Sequence, residues 1–275
     1  MDKNLLGTHC SISGGIENAI TDARSYEIDT FQVFTKNQRQ WKDKQYSDQE
    51  GERFKAAMKE AGIKVAFSHT IYLINIGSGN PEARLQSIKS LVGEINRCHT
   101  LGLAYAVLHP GSNPDKKEGI KLISDSLKQV LDATGYSDVK ILLENTAGQG
   151  NSIGGNFDEL AEIINNVGSE RIGVCFDTCH AFVAGYDIRT VKGLDETFKE
   201  LDEKIGLIKL KAIHLNDSKG DYKSKLDRHD HIGQGKLGIL PFKYILERFQ
   251  NIPKVLETPK VDDMDRVNLT ILRNM

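Results

Sequence analysis

Ten side chains of this sequence stand out among the imidazoles and carboxylates, the two types that bind divalent metal ions and move protons at neutral pH. They are His9, His69, His109, Glu144, Asp177, His180, His214, Asp227, His229 and Glu257. Most of them close a short apolar run. His9 ends Leu5–His9, His69 ends Lys64–His69, His109 ends Tyr105–His109 and Glu144 ends Lys140–Glu144. Asp177 ends Gly173–Asp177, Glu257 ends Lys254–Glu257, and His214 stands near the end of Lys211–Asn216. A histidine in such a place is, taken alone, more often a satisfied half-buried side chain than a ligand. Taken together they are different, because desolvated carboxylates repel one another and the C-terminal ends of these runs bring almost no Lys or Arg to pair with them. Several divalent cations are the simplest physical solution. A set of His and carboxylate with no thiolate suits zinc or manganese. Clustered ions of this kind lower the pKa of bound water to about 7, neutralise a phosphate and stabilise a departing alkoxide. The residues by themselves therefore reach a multi-metal hydrolase or isomerase and go no further.

The elements that must gather these groups are short strands. With Thr30–Thr35 added, the runs above make eight, each largely apolar and often β-branched, as strands buried on both faces are. Between them lie helical patterns at Asp48–Ala61, Pro81–Thr100, Glu118–Thr134, Phe157–Val167 and Leu194–Lys204. Pro81 suits a helix start, where its missing N–H loses no partner, and Asn156 with Glu159 reads as a capping box. Eight alternations predict one α/β domain over residues 1–275, a (β/α)₈ TIM barrel whose active site lies at the C-terminal ends of the strands. An open doubly wound sheet is the alternative. It usually places a Gly-rich dinucleotide turn after its first strand, and Gly7-Thr8-His9 followed by Gly14-Gly15 does not match one.

Composition excludes little else. The 275 residues are 39% hydrophobic and 27% charged, with no apolar run long enough for a bilayer span. Met1-Asp2-Lys3-Asn4 leads into only two apolar residues, which does not read as a secretory leader. Four cysteines, Cys10, Cys98, Cys175 and Cys179, make no disulfide framework and point to a reducing cytoplasm. The formal charge of −2 argues against nucleic acid at first sight, yet three divalent ions would bring it to +4. Net charge decides nothing here.

Longer strings are more specific. Glu144-Asn145-Thr146-Ala147-Gly148-Gln149-Gly150, Val174-Cys175-Phe176-Asp177-Thr178-Cys179-His180-Ala181, His214-Leu215-Asn216-Asp217-Ser218-Lys219, and Asp227-Arg228-His229 followed by Ile232-Gly233-Gln234-Gly235 all resemble signature segments of the endonuclease IV family. The resemblance runs in order along essentially the whole chain. It implies a DNA-repair endonuclease that hydrolyses the phosphodiester 5′ to abasic sites in duplex DNA. The products would be a 3′-hydroxyl and a 5′-deoxyribose phosphate, and removal of 3′-blocking groups is implied as well. The resemblance also implies three zinc ions that activate a hydroxide, with manganese possible at one position. His69, His109 and Glu144 would hold one ion. Glu144, the residue expected to be catalytic, would bridge to a second held by Asp177, His214 and Glu257. His180, Asp227 and His229 would hold the third.

Substrate contacts are expected from two loops above the same face. Phe34-Thr35-Lys36-Asn37-Gln38-Arg39-Gln40-Trp41 matches the family's recognition loop, and Asn37, Gln38 and Arg39 are residue types that enter a minor groove. The plainer reading is a solvated loop with Trp41 folded on the core. Tyr72 and Leu73 match a segment that wedges into the duplex, the plainer reading being a staple packed on the barrel. An abasic nucleotide has little stacking to lose, so its extrusion costs less than flipping a normal base. His9 is expected behind the ligands rather than among them, His99 and His231 in solvent, and Cys179 as a packed thiol. Lys223 stands where the family usually has glycine, which raises the expectation of a positive φ there and of a phosphate contact. A monomer in the cytoplasm, acting on DNA and not at a membrane, completes the expectation. A sugar isomerase and a non-catalytic DNA-binding barrel are the rival readings.

Overall fold

A computed structural model describes residues 4–275; Met1–Lys3, the start of the lead-in read above, lie outside the described residues. Eight parallel strands close on themselves. They are β1 Leu6–His9, β2 Thr30–Val33, β3 Val65–His69, β4 Tyr105–Leu108, β5 Lys140–Glu144, β6 Ile172–Asp177, β7 Leu210–His214 and β8 Lys254–Leu256. Each pairs with its neighbours in sequence, and β8 returns to β1 through Leu6↔Lys254 and Thr8↔Leu256. The closure excludes the open doubly wound sheet. The expected runs are all present, and four overshoot by one or two residues at their C-terminal ends. Thr35, His109, Asn216 and Glu257 lie just beyond the ladder, where the chain turns into the loops.

The helices form where the local chemistry provides ends. Helix α1 spans Asn18–Tyr26, and α2 spans Asp48–Glu60 behind a reciprocal capping box of Ser47 with Glu50. Helix α3, Pro81–Leu101, starts on the Asn80 cap with proline in its first turn and stops at Gly102 in the left-handed conformation. Helices α4, Lys116–Ala133, and α5, Phe157–Val167, start on Asp115 and Asn156 caps. Asn156 caps as expected, but the reciprocal half of the box is absent. Glu159 instead accepts the N–H groups of Gly154 (2.6 Å) and Gly155 (3.3 Å) in the preceding turn. The chain continues with α6 Thr178–Ala184, α7 Val191–Lys204, α8 Leu240–Arg248 and α9 Met264–Arg273.

The core has two parts. A large apolar layer lies between sheet and helices, and a smaller plug of Phe67, Val107, Leu142, Cys175, Ala212 and Val255 fills the barrel interior. Cys175 is thereby a packing residue of the plug. The plug also forms the floor beneath the strand C-termini, so the polar groups above it cannot sink into the barrel. Among the described residues no helix is long and apolar enough to cross a membrane.

Candidate active site

All nine expected ligands converge above this floor. Glu144, at the end of β5, is fully buried at the centre. Its Oε2 lies 3.1 Å from Nε2 of His69 and 3.1 Å from Nε2 of His109. Its Oε1 lies 2.9 Å from Nδ1 of His214, which is also 3.1 Å from Glu257 Oε2. One carboxylate thus faces two groups, one with each oxygen. On the far side Nε2 of His180 and Nε2 of His229 approach Asp227 Oδ1 at 3.1 and 3.5 Å. The donor atoms fall into sets whose members lie within 4.8 Å of one another: His69, His109 and Glu144; Glu144, Asp177, His214 and Glu257; His180, Asp227 and His229.

The tautomers make the stronger case that metal ions fit here. Each histidine nitrogen that could face the cluster is freed when the other is committed to an acceptor outside it. His69 Nδ1 lies 2.7 Å from the Thr70 carbonyl, and His180 Nδ1 lies 2.9 Å from the Asn145 carbonyl. His229 Nδ1 meets the Glu257 carbonyl at 3.2 Å, and His214 Nε2 meets Gln32 Oε1 at 2.9 Å. With protons on those nitrogens, lone pairs point inward at all four residues. The inward Nε2 atoms of His180 and His229 are buried and face Asp227 Oδ1 without a well-formed hydrogen bond, an arrangement that a cation between the two lone pairs and the carboxylate would satisfy.

Electrostatics agree. Burial raises the Glu144 carboxyl, but His214, His109 and His180 outweigh it and hold it well below the usual carboxylate range. Burial likewise opposes charge on His180, yet Asp177, Asp227 and Glu144 hold its imidazole well above the ordinary value. Burial also works against ionised Asp227, and His180 and His229 draw it down to about 2. A site that keeps its carboxylates ionised and favours cationic neighbours is one that favours divalent cations. Cys179 Sγ lies within reach of Asp177 and His229 as well. Burial pushes this thiol up to about 12, and it points at the Arg228 carbonyl (3.7 Å), so it packs as a neutral group.

The motifs explain how loops reach the cluster. Asp177 caps α6 by accepting the His180 N–H at 2.7 Å, which sets the Asp177–His180 spacing. Asn145 accepts the Asp177 N–H (2.7 Å), while Asn216 donates to Asp177 Oδ2 (2.6 Å) and accepts the Glu257 N–H (2.8 Å). Asp217 is fully buried and accepts four backbone N–H groups. Ser218 and Leu237 donate to its Oδ1 at 2.7 and 2.9 Å, and Gly233 and Gly235 donate to its Oδ2 at 2.9 and 3.1 Å. The Gly233-Gln234-Gly235 turn is thereby fastened to the segment after β7. A Cβ on Gly235 would sit 2.5 Å from Asp217 Oδ1 and 2.5 Å from the Ser218 carbonyl, so only glycine fits.

Gln32 joins the site without a counterpart among the sequence expectations. It is a buried glutamine in β2 that donates to Glu257 Oε1 (2.6 Å), contacts His9 Nδ1 (3.0 Å) and accepts from His214. A long amide on an otherwise apolar strand was the available signal. His9 stands behind the candidate ligands, reaching them through Gln32, with its ring tilted against Phe34 at 4.5 Å between centroids. His99 is exposed, edge-on to Tyr136. His231 is half-buried and hydrogen-bonded to Asn268 (3.2 Å), correcting its solvated reading.

The two loops border the cluster. Ile71 and Ile74 are buried, while Tyr72 and Leu73 are 66% and 40% exposed, so the tip of this turn is not a staple on the barrel. In the β2 loop Asn37 and Arg39 are exposed, Gln38 is half-buried and Trp41 packs partly on the core. A groove of about 920 Å³ lined by His9, Phe34, Asn37, Gln38, Tyr72 and Glu257 joins this loop to the cluster. Lys219 and Arg228 line the cavity on the other side, with His109, His180 and His229. Lys223 does have a positive φ of 64°, its stem lying along Gly185 and its ammonium 5.0 Å from the Tyr222 ring centre.

Comparison with known proteins gives a consistent result. The xylose isomerase-like TIM barrel family profile matches residues 20–273. The chain is 43% identical to the "Probable endonuclease 4" of Geobacter sp. (strain M21), over 99% of each chain. It is 41% identical to the protein of that name from Chloroflexus aurantiacus, covering 98% of this chain and 97% of the relative. The crystal structure of endonuclease IV from Thermus thermophilus superposes with a TM-score of 0.89 at 32% identity, covering 98% of this chain and 97% of that one. A D-tagatose 3-epimerase-like protein also superposes, with a TM-score of 0.78 over 98% and 96% of the two chains, but at 19% identity it shares the fold alone.

Proposed function

Because the chain belongs to the endonuclease IV family, we propose that it cuts duplex DNA by hydrolysing the phosphodiester 5′ to an abasic site. The cut leaves a 3′-hydroxyl and a 5′-deoxyribose phosphate, and the same site removes 3′-blocking groups. The observation that carries this reading is the set of histidine nitrogens and carboxylate oxygens turned inward around Glu144, sufficient for three ions. His69, His109 and Glu144 would hold the first zinc; Glu144, Asp177, His214 and Glu257 the second; His180, Asp227 and His229 the third, with manganese able to replace one. Such ions, when bound, supply hydroxide at neutral pH and neutralise phosphate charge.

The protein's own groups do the rest. The Glu144 carboxylate, fixed between two ligand sets, holds their spacing. Lys219 and Arg228 bring cationic charge to the cavity wall where a phosphate would lie. Asn37, Gln38 and Arg39 are offered to a minor groove, and Tyr72 and Leu73 wedge beside the lesion. The exposure of an aromatic and a leucine at the rim of a polar cavity supports that role. Lesion selectivity then follows from the low cost of extruding a nucleotide without a base. We propose further that residues 1–275 act as one catalytic domain and as a monomer in the cytoplasm; four free, buried thiols are consistent with a reducing compartment.

The test is incision of a labelled duplex carrying one tetrahydrofuran residue, beside an undamaged duplex. The analogue cannot undergo β-elimination, so a single 5′ cut with an extendable 3′ end can only be hydrolytic. Glu144→Ala is expected to abolish it. No cut by protein carrying about three metal ions rejects the reading and favours a sugar substrate.

A further inference from the structure

Beneath the β2 loop lies a buried cluster of charged groups that the cutting reaction does not use. Helix α3 presents Glu94 and Arg97, 1% and 2% exposed, to the underside of residues 35–46. Arg97 donates through Nε to Thr35 Oγ1 (2.7 Å), through one terminal nitrogen to Glu94 (2.7 Å), and through the other to Asp43 and the Lys44 carbonyl (3.4 Å). Glu94 accepts the Thr35 hydroxyl at 2.8 Å. Tyr46 donates to the Thr35 carbonyl at 3.0 Å. Lys36 turns inward, 3% exposed, and donates to the Trp41 carbonyl (3.2 Å) and Ser90 (3.4 Å).

The pattern has a direction. Both feet of the loop, Thr35-Lys36 on one side and Trp41 to Lys44 on the other, are tied to one helix by two buried cations. Of the stretch between them, Asn37, Arg39 and Gln40 face outward and Gln38 is half-buried. Even Gly93 conforms, since a Cβ there would lie 3.2 Å from the Arg97 guanidinium and 3.3 Å from the Asp43 carboxylate. A mid-helix glycine is otherwise unfavourable. Buried ion pairs are weak sources of stability, because apolar residues of similar volume serve as well. A fully bonded charged cluster does impose a single geometry on the groups it holds.

We propose that Arg97, with Glu94 and Lys36, is a positioning residue that preorganises Asn37, Gln38 and Arg39 for duplex DNA, acting on substrate binding and not on the cutting step. The proposal rests on the reading of this loop as a DNA contact. Metal-loaded Arg97→Lys, Lys36→Met and the paired apolar variant Glu94→Met/Arg97→Met separate the possibilities, the last keeping the helix packed without charge. Steady-state incision of the tetrahydrofuran duplex should show KM raised about tenfold by the lost ordering of the loop, with kcat within about twofold. Arg97→Lys should recover part of the KM. Amide exchange in residues 35–46 should quicken while that of β5 and β6 is unchanged. Unchanged exchange overturns the proposal, because the cations then do not hold the loop. Quickened exchange with wild-type KM overturns it too, because the loop then does not govern binding. If the wild-type holoenzyme cuts no abasic duplex, the functional reading fails, and amide exchange still decides whether these cations hold the loop.

Discussion

Asp217 offers the sharpest test of how the candidate site is held together. Asparagine has its shape but only one acceptor oxygen. Whichever way the amide is turned in Asp217→Asn, two of the four N–H groups now bonded to the carboxylate face an NH₂. Each buried donor left unpaired costs about 1–3 kcal/mol. The turn at Gly233-Gln234-Gly235 can open and regain water, which limits the sum to about 2–4 kcal/mol. For a chain of this size that is a fall in Tm of about 5–15 °C. The functional effect should exceed what the stability loss alone would give. Asp217-Ser218 pairs antiparallel with His229-Asp230, so a loosened turn displaces His229 from Asp227 and His180. Metal content measured by mass spectrometry should drop from about three ions to about two, with incision reduced roughly 10–100-fold, as for other residues that support metal ligands. Asp221→Asn is the control, since Asp221 is exposed and only 3.6 Å from the Lys236 ammonium in a loose pair. If Asp217→Asn keeps its Tm, its metal and its rate, the carboxylate is not what anchors the third ligand set.

Other outcomes follow from the same coordinates. Lys223→Gly relieves a left-handed backbone worth about 1–2 kcal/mol and adds unfolded-chain freedom worth about 0.5–1 kcal/mol, so urea midpoints should rise slightly. A lowered midpoint would mean that the stem packed on Gly185 contributes more than the strain costs. The same variant should lower the salt slope of duplex binding by about one, and an unchanged slope removes the phosphate contact. Lys254 is wholly buried at the start of β8, where its ammonium donates to Asn4 Oδ1 and to the Phe249 and Ile252 carbonyls, and burial pulls it down to about 7 against those bonds. Between that value and the free-lysine value of about 10.4 the unfolded chain holds a proton that the folded protein lacks. Stability should therefore rise with pH from about 7 upward, by at most about 1.4 kcal/mol per unit, and Lys254→Met should flatten the rise. A wild-type protein equally stable at pH 7 and 9 contradicts the burial effect. Chelation should abolish incision and lower Tm, since each ion at 100 times its Kd contributes about 2.7 kcal/mol, and zinc should restore both. A Tm indifferent to chelator would show that the inward lone pairs hold no ion.

The barrel was readable because eight buried strands leave eight apolar runs, and six of the nine candidate ligands because they sit at or near the ends of such runs. Helices α1 and α9 are absent from the expected patterns although each buries one face at helical spacing, Ala19, Ile20 and Ala23 in the first and Asn268, Leu269 and Leu272 in the second; other elements had no such periodicity to show. Helix α6, Thr-Cys-His-Ala-Phe-Val-Ala, is buried throughout except at its end and has no polar stripe to reveal it. Helix α8 is short and carries Pro241 in its first turn. Glu159 left the expected capping box because two glycine N–H groups in the adjoining turn compete for its carboxylate. Gln32, Asn145 and Asn216 act through contacts with residues distant in sequence, as Asp217 does in all but its bond from Ser218, and such contacts leave no local pattern. The positive φ at Lys223 was the opposite case. There a departure from glycine was enough to locate a strained turn.

These observations separate two kinds of precision within one site. Ligands at strand ends are held by the sheet itself, whose ladder and plugged interior leave them little room to move. The groups proposed to face substrate stand on loops, and loops are soft unless tied. Here they are tied by buried polar anchors, Asp217 under the third ligand set and Glu94 with Arg97 under the β2 loop. A fold neighbour at 19% identity keeps the barrel, so strand geometry alone does not decide what the site acts on. The choice must lie in the loops and hence in what fixes them. Exchanging Asn37, Gln38 and Arg39 for alanine should therefore weaken duplex binding while leaving metal content untouched. Losing the Asp217 anchor should do the reverse, lowering metal content before binding of the undamaged flanks. If both changes produced the same defect, the division between anchors and ligands would be wrong.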